Sequence, residues 1–103
     1  METIKTNNFT AKDRFNSATA TPIKEAKGDT LTITDAMVTE NSDNQVVGYM
    51  KVDDGTIYAT ISATIIDQLI PLIDILDSDG EQDIQIVTKT SNGGREYFML
   101  ELQ

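Results

Sequence analysis

Along most of this chain apolar and polar residues alternate at every second position, and the breaks in that rhythm mark its elements. Thr30 to Glu40 is rich in threonine and β-branched residues, with Leu31 and Ile33 on one face. The apolar phase then slips, because Met37 keeps that face while Ala36 and Val38 continue on the other. A bulge or bend near Asp35–Ala36 accounts for the slip. Asn41-Ser42-Asp43-Asn44 is a polar turn, and strands over Val46–Val52 and Thr56–Ile61 flank Asp53-Asp54-Gly55. A two-residue Asp54-Gly55 turn, whose two central positions require positive φ, pairs Val52 with Ile57, Met50 with Ala59 and Lys51 with Tyr58. The first two pairs then face inward, while Tyr49, Lys51, Tyr58 and Thr60 fall on the solvent side.

Ser62 caps a helix on which Ile66, Leu69, Ile70 and Ile73 follow the i, i+3, i+4, i+7 rule. Pro71 lies within it and lacks the donor for the Asp67 carbonyl, so a kink or restart is expected there. The helix is expected to end near Leu76, before a loop over Asp77 to Gln82. In the closing hairpin a three-residue loop, Asn92 to Gly94, pairs Ile84 with Leu102, Ile86 with Leu100 and Thr88 with Phe98. That register leaves one clean apolar face, whereas a two-residue turn mixes polar and apolar residues on both. Val87, Lys89, Ser91, Arg95, Tyr97 and Met99 then point outward, with Lys89 opposite Tyr97.

Ahead of the first long strand, Thr21-Pro22 reads as a helix start and Gly28 as its stop. Ile23 to Lys27 is then little more than one turn, and it covers a barrel end with Ile23 and Ala26. Residues 1–16 keep no sustained period and are rich in Thr, Asn and Lys, which predicts a flexible N-terminal arm anchored by Phe15. Residues 17–103 are expected to form one domain, mainly β with one or two short helices. Three strands, a helix and a closing hairpin match the OB-fold, a five-stranded partly open barrel with the helix between strands three and four.

Composition narrows the chemistry. Among 103 residues there is no cysteine and no histidine, which removes disulfides, thiolate zinc sites, and the usual nucleophiles and general bases. An enzyme is therefore not expected. Asp77-Ser78-Asp79-Gly80 hints at a calcium loop but lacks the third ligand and distal glutamate of that motif, so no metal or cofactor is predicted. The chain carries no apolar run of about 18 residues and no secretory segment near Met1, from which a cytoplasmic protein without membrane contact is expected.

What remains is rings beside cations. Tyr49, Tyr58 and Tyr97 with Lys51, Lys89 and Arg95 are the candidate nucleic-acid-binding residues, since stacking platforms flanked by positive charge hold unpaired strands. The plainer reading is that tyrosines favour half-buried strand positions. The net charge of −9, from 17 acids and 8 bases, opposes a polyanion unless bases and acids are segregated. The acids do cluster, at Asp74, Asp77, Asp79, Glu81 and Asp83.

Three segments resemble small single-stranded-DNA-binding proteins of tailed phages of Gram-positive bacteria: Glu25-Ala26-Lys27-Gly28 leading into a strand, Asp54-Gly55-Thr56-Ile57-Tyr58-Ala59-Thr60-Ile61-Ser62 leading into a helix, and Thr90-Ser91-Asn92-Gly93-Gly94-Arg95-Glu96-Tyr97. The resemblance spans roughly residues 14 to 102. It implies an OB-type barrel that coats single-stranded DNA during phage replication in the host cytoplasm, without turnover and in the company of replication proteins. It carries over to Tyr58, Arg95 and Tyr97. Two other readings stand beside it: an acidic DNA mimic that inhibits a host DNA-binding enzyme, and a structural or oligomerisation module with the barrel's sheet edges and Met99 at the contact. DNA and RNA are not distinguished by these residues.

Overall fold

The computed structural model describes residues 2–103; Met1 of the expected arm lies outside them. Its strands are β1 (Glu2–Thr6), β2 (Thr21–Pro22), β3 (Thr30–Glu40), β4 (Val46–Val52), β5 (Ile57–Thr60), β6 (Gln82–Thr90) and β7 (Glu96–Leu102). Its α-helices are α1 (Ala11–Asn16) and α2 (Ala63–Asp79), and 3₁₀ turns occupy Ser17–Thr19 and Ile23–Ala26.

One loop geometry builds every hairpin. The N–H groups of Asn41, Val52 and Ser91 donate to the carbonyls of Gln45, Thr56 and Arg95 at 2.9, 2.8 and 2.8 Å. Each encloses three residues, the last of which is left-handed: Asn44 (φ 60°), Gly55 (φ 93°) and Gly94 (φ 77°). Only glycine and, less readily, asparagine adopt that conformation cheaply. The register expected for β6–β7 is the one observed, with Ile86 opposite Leu100 and Lys89 opposite Tyr97.

The β4–β5 register differs from expectation by one residue. Lys51 stands opposite Ile57 and Met50 opposite Tyr58, so the expected Lys51–Tyr58 pair does not form. Asp54 keeps a negative φ, which excludes the two-residue turn. Its carboxylate instead accepts the Thr56 N–H at 2.8 Å, and that bond holds its pKa below the ordinary carboxylate value.

The strands form one curled, open half-barrel sheet in the order β2-β5-β4-β3-β6-β7, with β1 paired to the far half of β3. Strand β3 bends where expected, its register with β4 shifting between Ile33 and Asp35. Asn7 staples the bend: its Oδ1 accepts from Ala36 N at 2.9 Å, and its Nδ2 donates to Asp35 Oδ1 at 3.0 Å. Helix α2 lies in the mouth of the half-barrel. Ile65, Leu69, Leu72, Ile73 and Leu76 bury one side of it against Ile33, Val38, Met50, Ile84 and Ile86. Gly48 lets the helix seat, since a Cβ there would stand 2.5 Å from Leu69 Cδ1. The helix passes through Pro71 as one continuous element and runs on to Asp79, beyond the expected end at Leu76, before Gly80 (φ 84°) stops it. The acids Asp77 and Asp79 therefore sit on the helix rather than in a loop.

Residues 2–16 of the expected flexible arm contain β1 and α1 instead. Residues 2–6 pair with β3, and Phe9, at 7 % exposure, is the anchor in place of Phe15, which is 82 % exposed. Five expected strands become seven, because β1 and the short β2, parallel to β5, extend the sheet.

Candidate nucleic-acid interface

The six residues singled out from sequence part company in the fold. Side chains opposite one another on paired strands share a face, so the observed register turns Tyr58 with Met50 toward α2. There Tyr58 packs, partly buried, against the main core. Tyr49 and Lys51 lie on the opposite face with Ile57 and Met37, and that face is not solvent. Residues 7–20 cross it, and Phe9, Met37 and Ile57 form a second small core against which Tyr49 and Ala20 pack.

The ammonium of Lys51 is held by this cover. Lys51 Nζ lies 2.9 Å from Asp13 Oδ1, and Asp13 is buried. Its other oxygen closes a capping box at the start of α1: Asp13 Oδ2 accepts from Thr10 N at 3.0 Å, while Thr10 Oγ1 accepts from Asp13 N at 3.1 Å. Burial pushes the Asp13 carboxyl up, but the hydrogen bonds from Lys51 and Thr10, with the Lys51 charge, outweigh it and hold the pKa below 3.8. Asp13 was not among the residues expected to matter. The Thr10-x-x-Asp13 spacing is the signal that marks it.

The outer face of β6–β7 is different. Lys89 and Tyr97 stand directly opposite one another, and Val87 faces Met99 one step along. Lys89, Arg95 and Tyr97 are exposed, Tyr97 at 38 %, and Val87 and Met99 are half-buried. Among the described residues only Lys5, with Asp74 at 2.7 Å, and Lys51, with Asp13, are held in ion pairs. Lys89 and Arg95 are thus free to meet an anion. Lys27 flanks the same hairpin, because Gly28 N donates to Ile86 O at 2.8 Å and Ile86 N to Asp29 O at 3.0 Å. The acids on this face gather at the other end, where Glu101 opposes Gln85 and Asp83 accepts from Thr32 Oγ1 at 2.7 Å.

The face is therefore graded: two cations, a ring and a pair of glycines at the loop end, carboxylates at the other. Such a surface can stack a base on Tyr97 and place phosphates by Lys89 and Arg95. No cluster of three or more acidic, histidine or cysteine side chains suited to a metal occurs among the described residues, and no helix there is long and apolar enough to cross a membrane. Comparison of the chain with family models, curated proteins and solved structures gives no match.

Proposed function

We propose that this chain is a non-catalytic binder of single-stranded nucleic acid and that it grips the strand on the outer face of β6–β7. The observation that carries the reading is the Lys89–Tyr97 cross-strand pair, exposed and flanked by the exposed Arg95. DNA is the substrate that the resemblance implies, and coating it during phage replication the role.

In this reading β3, β4, β5, β6 and β7 are the five strands of an OB-type barrel left open between β5 and β7. Support comes from the pairing order β5-β4-β3-β6-β7, in which one long bent strand pairs with both the second and the fourth, and from α2 between the third and fourth. The loop Asn92–Gly94 joins the last two strands, a position from which barrels of this type commonly touch their ligands.

The test is fluorescence anisotropy with a labelled unpaired oligonucleotide at low and moderate salt. Binding that weakens with salt and falls about tenfold in Tyr97→Ala is expected. No binding at low salt would overturn the proposal. Retention of a basic DNA-binding enzyme by a chain that binds no oligonucleotide would put the DNA-mimic reading in its place, with the acids of α2 as the contact.

A further inference from the structure

Strand β7 ends the sheet, and its outer edge is met by a side chain rather than by a strand. Gln103 N donates to Asp83 O and Ser91 N to Arg95 O. With the observed register, the odd-numbered residues of β7 therefore bond to β6, while Glu96, Phe98, Leu100 and Leu102 direct their backbone groups away from it. At Leu100 both groups are satisfied by Gln68 of α2. Gln68 Nε2 donates to Leu100 O at 2.8 Å, and Gln68 Oε1 accepts from Leu100 N at 2.8 Å. A primary amide in that position reproduces the N–H and C=O that a neighbouring strand would present. No described strand pairs with the rest of the edge.

Beside the edge runs an open apolar groove of about 180 Å³, lined by Gln68, Pro71, Leu72, Ile75, Leu100 and Leu102. Leu102 is 54 % exposed there. The surroundings are acidic: Glu96 and Glu101 lie on β7 itself and are exposed, as are Asp79, the last residue of α2 and one turn beyond Ile75, and Glu81 just before β6, while no lysine or arginine occurs between Lys51 and Lys89. An unpaired edge with an apolar groove is the requirement for strand addition, and the acidic rim selects the sign of what is added.

We propose that the outer edge of β7 docks an extended segment of a basic partner protein. The segment pairs along Phe98, Leu100 and Leu102, displaces the Gln68 amide, fills the groove with apolar side chains and sets lysines or arginines against the acids. A second copy of this chain is the poorer occupant. It would bring together two molecules that each carry a charge of −9. This inference does not rest on the nucleic-acid reading, because it is argued from the β7 edge and the groove beside it and not from Lys89, Arg95 or Tyr97.

The probe is a dye-labelled peptide as long as β7 with alternating lysine and valine. Its controls are the glutamate–valine counterpart and a lysine–valine peptide N-methylated at every second residue. Binding to the full chain is read by anisotropy, and backbone amide exchange by NMR. The lysine–valine peptide is expected to bind about tenfold more tightly than either control and to slow exchange at Phe98 and Leu102. Leu102→Lys should cut its affinity about tenfold. Gln68→Ala, which no longer competes for Leu100, should bind as well or better. Equal binding of the N-methylated peptide, or unchanged exchange at Phe98 and Leu102, would overturn the proposal. So would self-association that protects those amides without peptide.

Discussion

The β4–β5 and β6–β7 hairpins close through the same three-residue loop and carry similar residues, yet their outer faces have opposite fates. On β4–β5, Tyr49 and Lys51 lie beneath residues 7–20, the ring against a small core and the ammonium on Asp13. On β6–β7, Tyr97 and Lys89 are exposed, and Lys89 is held in no ion pair among the described residues. Identical residue types thus serve packing in one hairpin and remain available in the other. What separates them is the N-terminal segment, not the hairpins themselves.

The largest expected effect comes from removing the cover's anchor. Phe9→Ala should cost about 3 kcal/mol in unfolding free energy, as large-to-small changes at buried aromatics do, whereas Phe15→Ala should be nearly silent because Phe15 is 82 % exposed. Urea midpoints of the two variants check this. Equal midpoints would mean that residues 7–20 do not hold the β4–β5 face shut, and the contrast between the hairpins would collapse.

Asp13→Ala comes next, at about 2 kcal/mol, since it removes a helix cap and leaves Lys51 without its counter-charge. Lys89→Ala, on the open face, should stay within about 0.5 kcal/mol of the parent. The same carboxyl sets a pH dependence. Its folded pKa is depressed below the ordinary value of 3.8, so its contribution is complete above that unfolded value and is lost as pH falls through the lower folded value. Acid titrations of stability should therefore be flatter in Asp13→Asn than in the parent chain. An unchanged acid limb would show that the pair contributes little.

These contrasts explain what could and could not be read from the chain. The β6–β7 register was legible because one of its faces is buried and the other wet, so a slip of one residue would have exposed Ile84, Ile86 and Leu100. The β4–β5 register was not, because both of its faces are buried. Ile57 and Tyr58 each find a core, and alternation no longer distinguishes inside from outside. The Asp54-Gly55 dipeptide then pointed to the tighter turn, while the Asp54–Thr56 hydrogen bond favoured the wider one. Residues 2–16 hid their order in short elements: a five-residue strand and a six-residue helix are too brief for a period to show. The bulge in β3 was visible from its slipped phase. The Asn7 side chain that staples it, 29 residues away from Ala36, had no local signature. Continuity of α2 through Pro71 reflects tertiary packing on both sides of the proline, which overrides the local breaker.

On the open face the expected changes are in affinity rather than stability. Tyr97→Ala should weaken oligonucleotide binding by about 1–3 kcal/mol, the worth of one stacked base, while leaving the unfolding free energy within about 0.5 kcal/mol of the parent. Tyr49→Ala should do the reverse, lowering stability through the small core and changing binding little. A Tyr49 variant that loses binding while remaining folded would move the interface to the covered hairpin and make the N-terminal segment a removable lid.

The smallest effect is also the most diagnostic of charge placement. Each phosphate neutralised on a single strand contributes about −0.7 to the slope of log affinity against log salt. Lys89 and Arg95, with Lys27 beside the hairpin edge, set an upper limit of about three contacts and a slope near −2. Lys89→Ala should reduce that slope by about 0.7, whereas Lys51→Ala should leave it unchanged, because the Lys51 ammonium already answers Asp13 at 2.9 Å. A slope that responds to Lys51 instead would mean that Asp13 yields its partner to phosphate, and that the covered and open faces exchange roles when a strand binds.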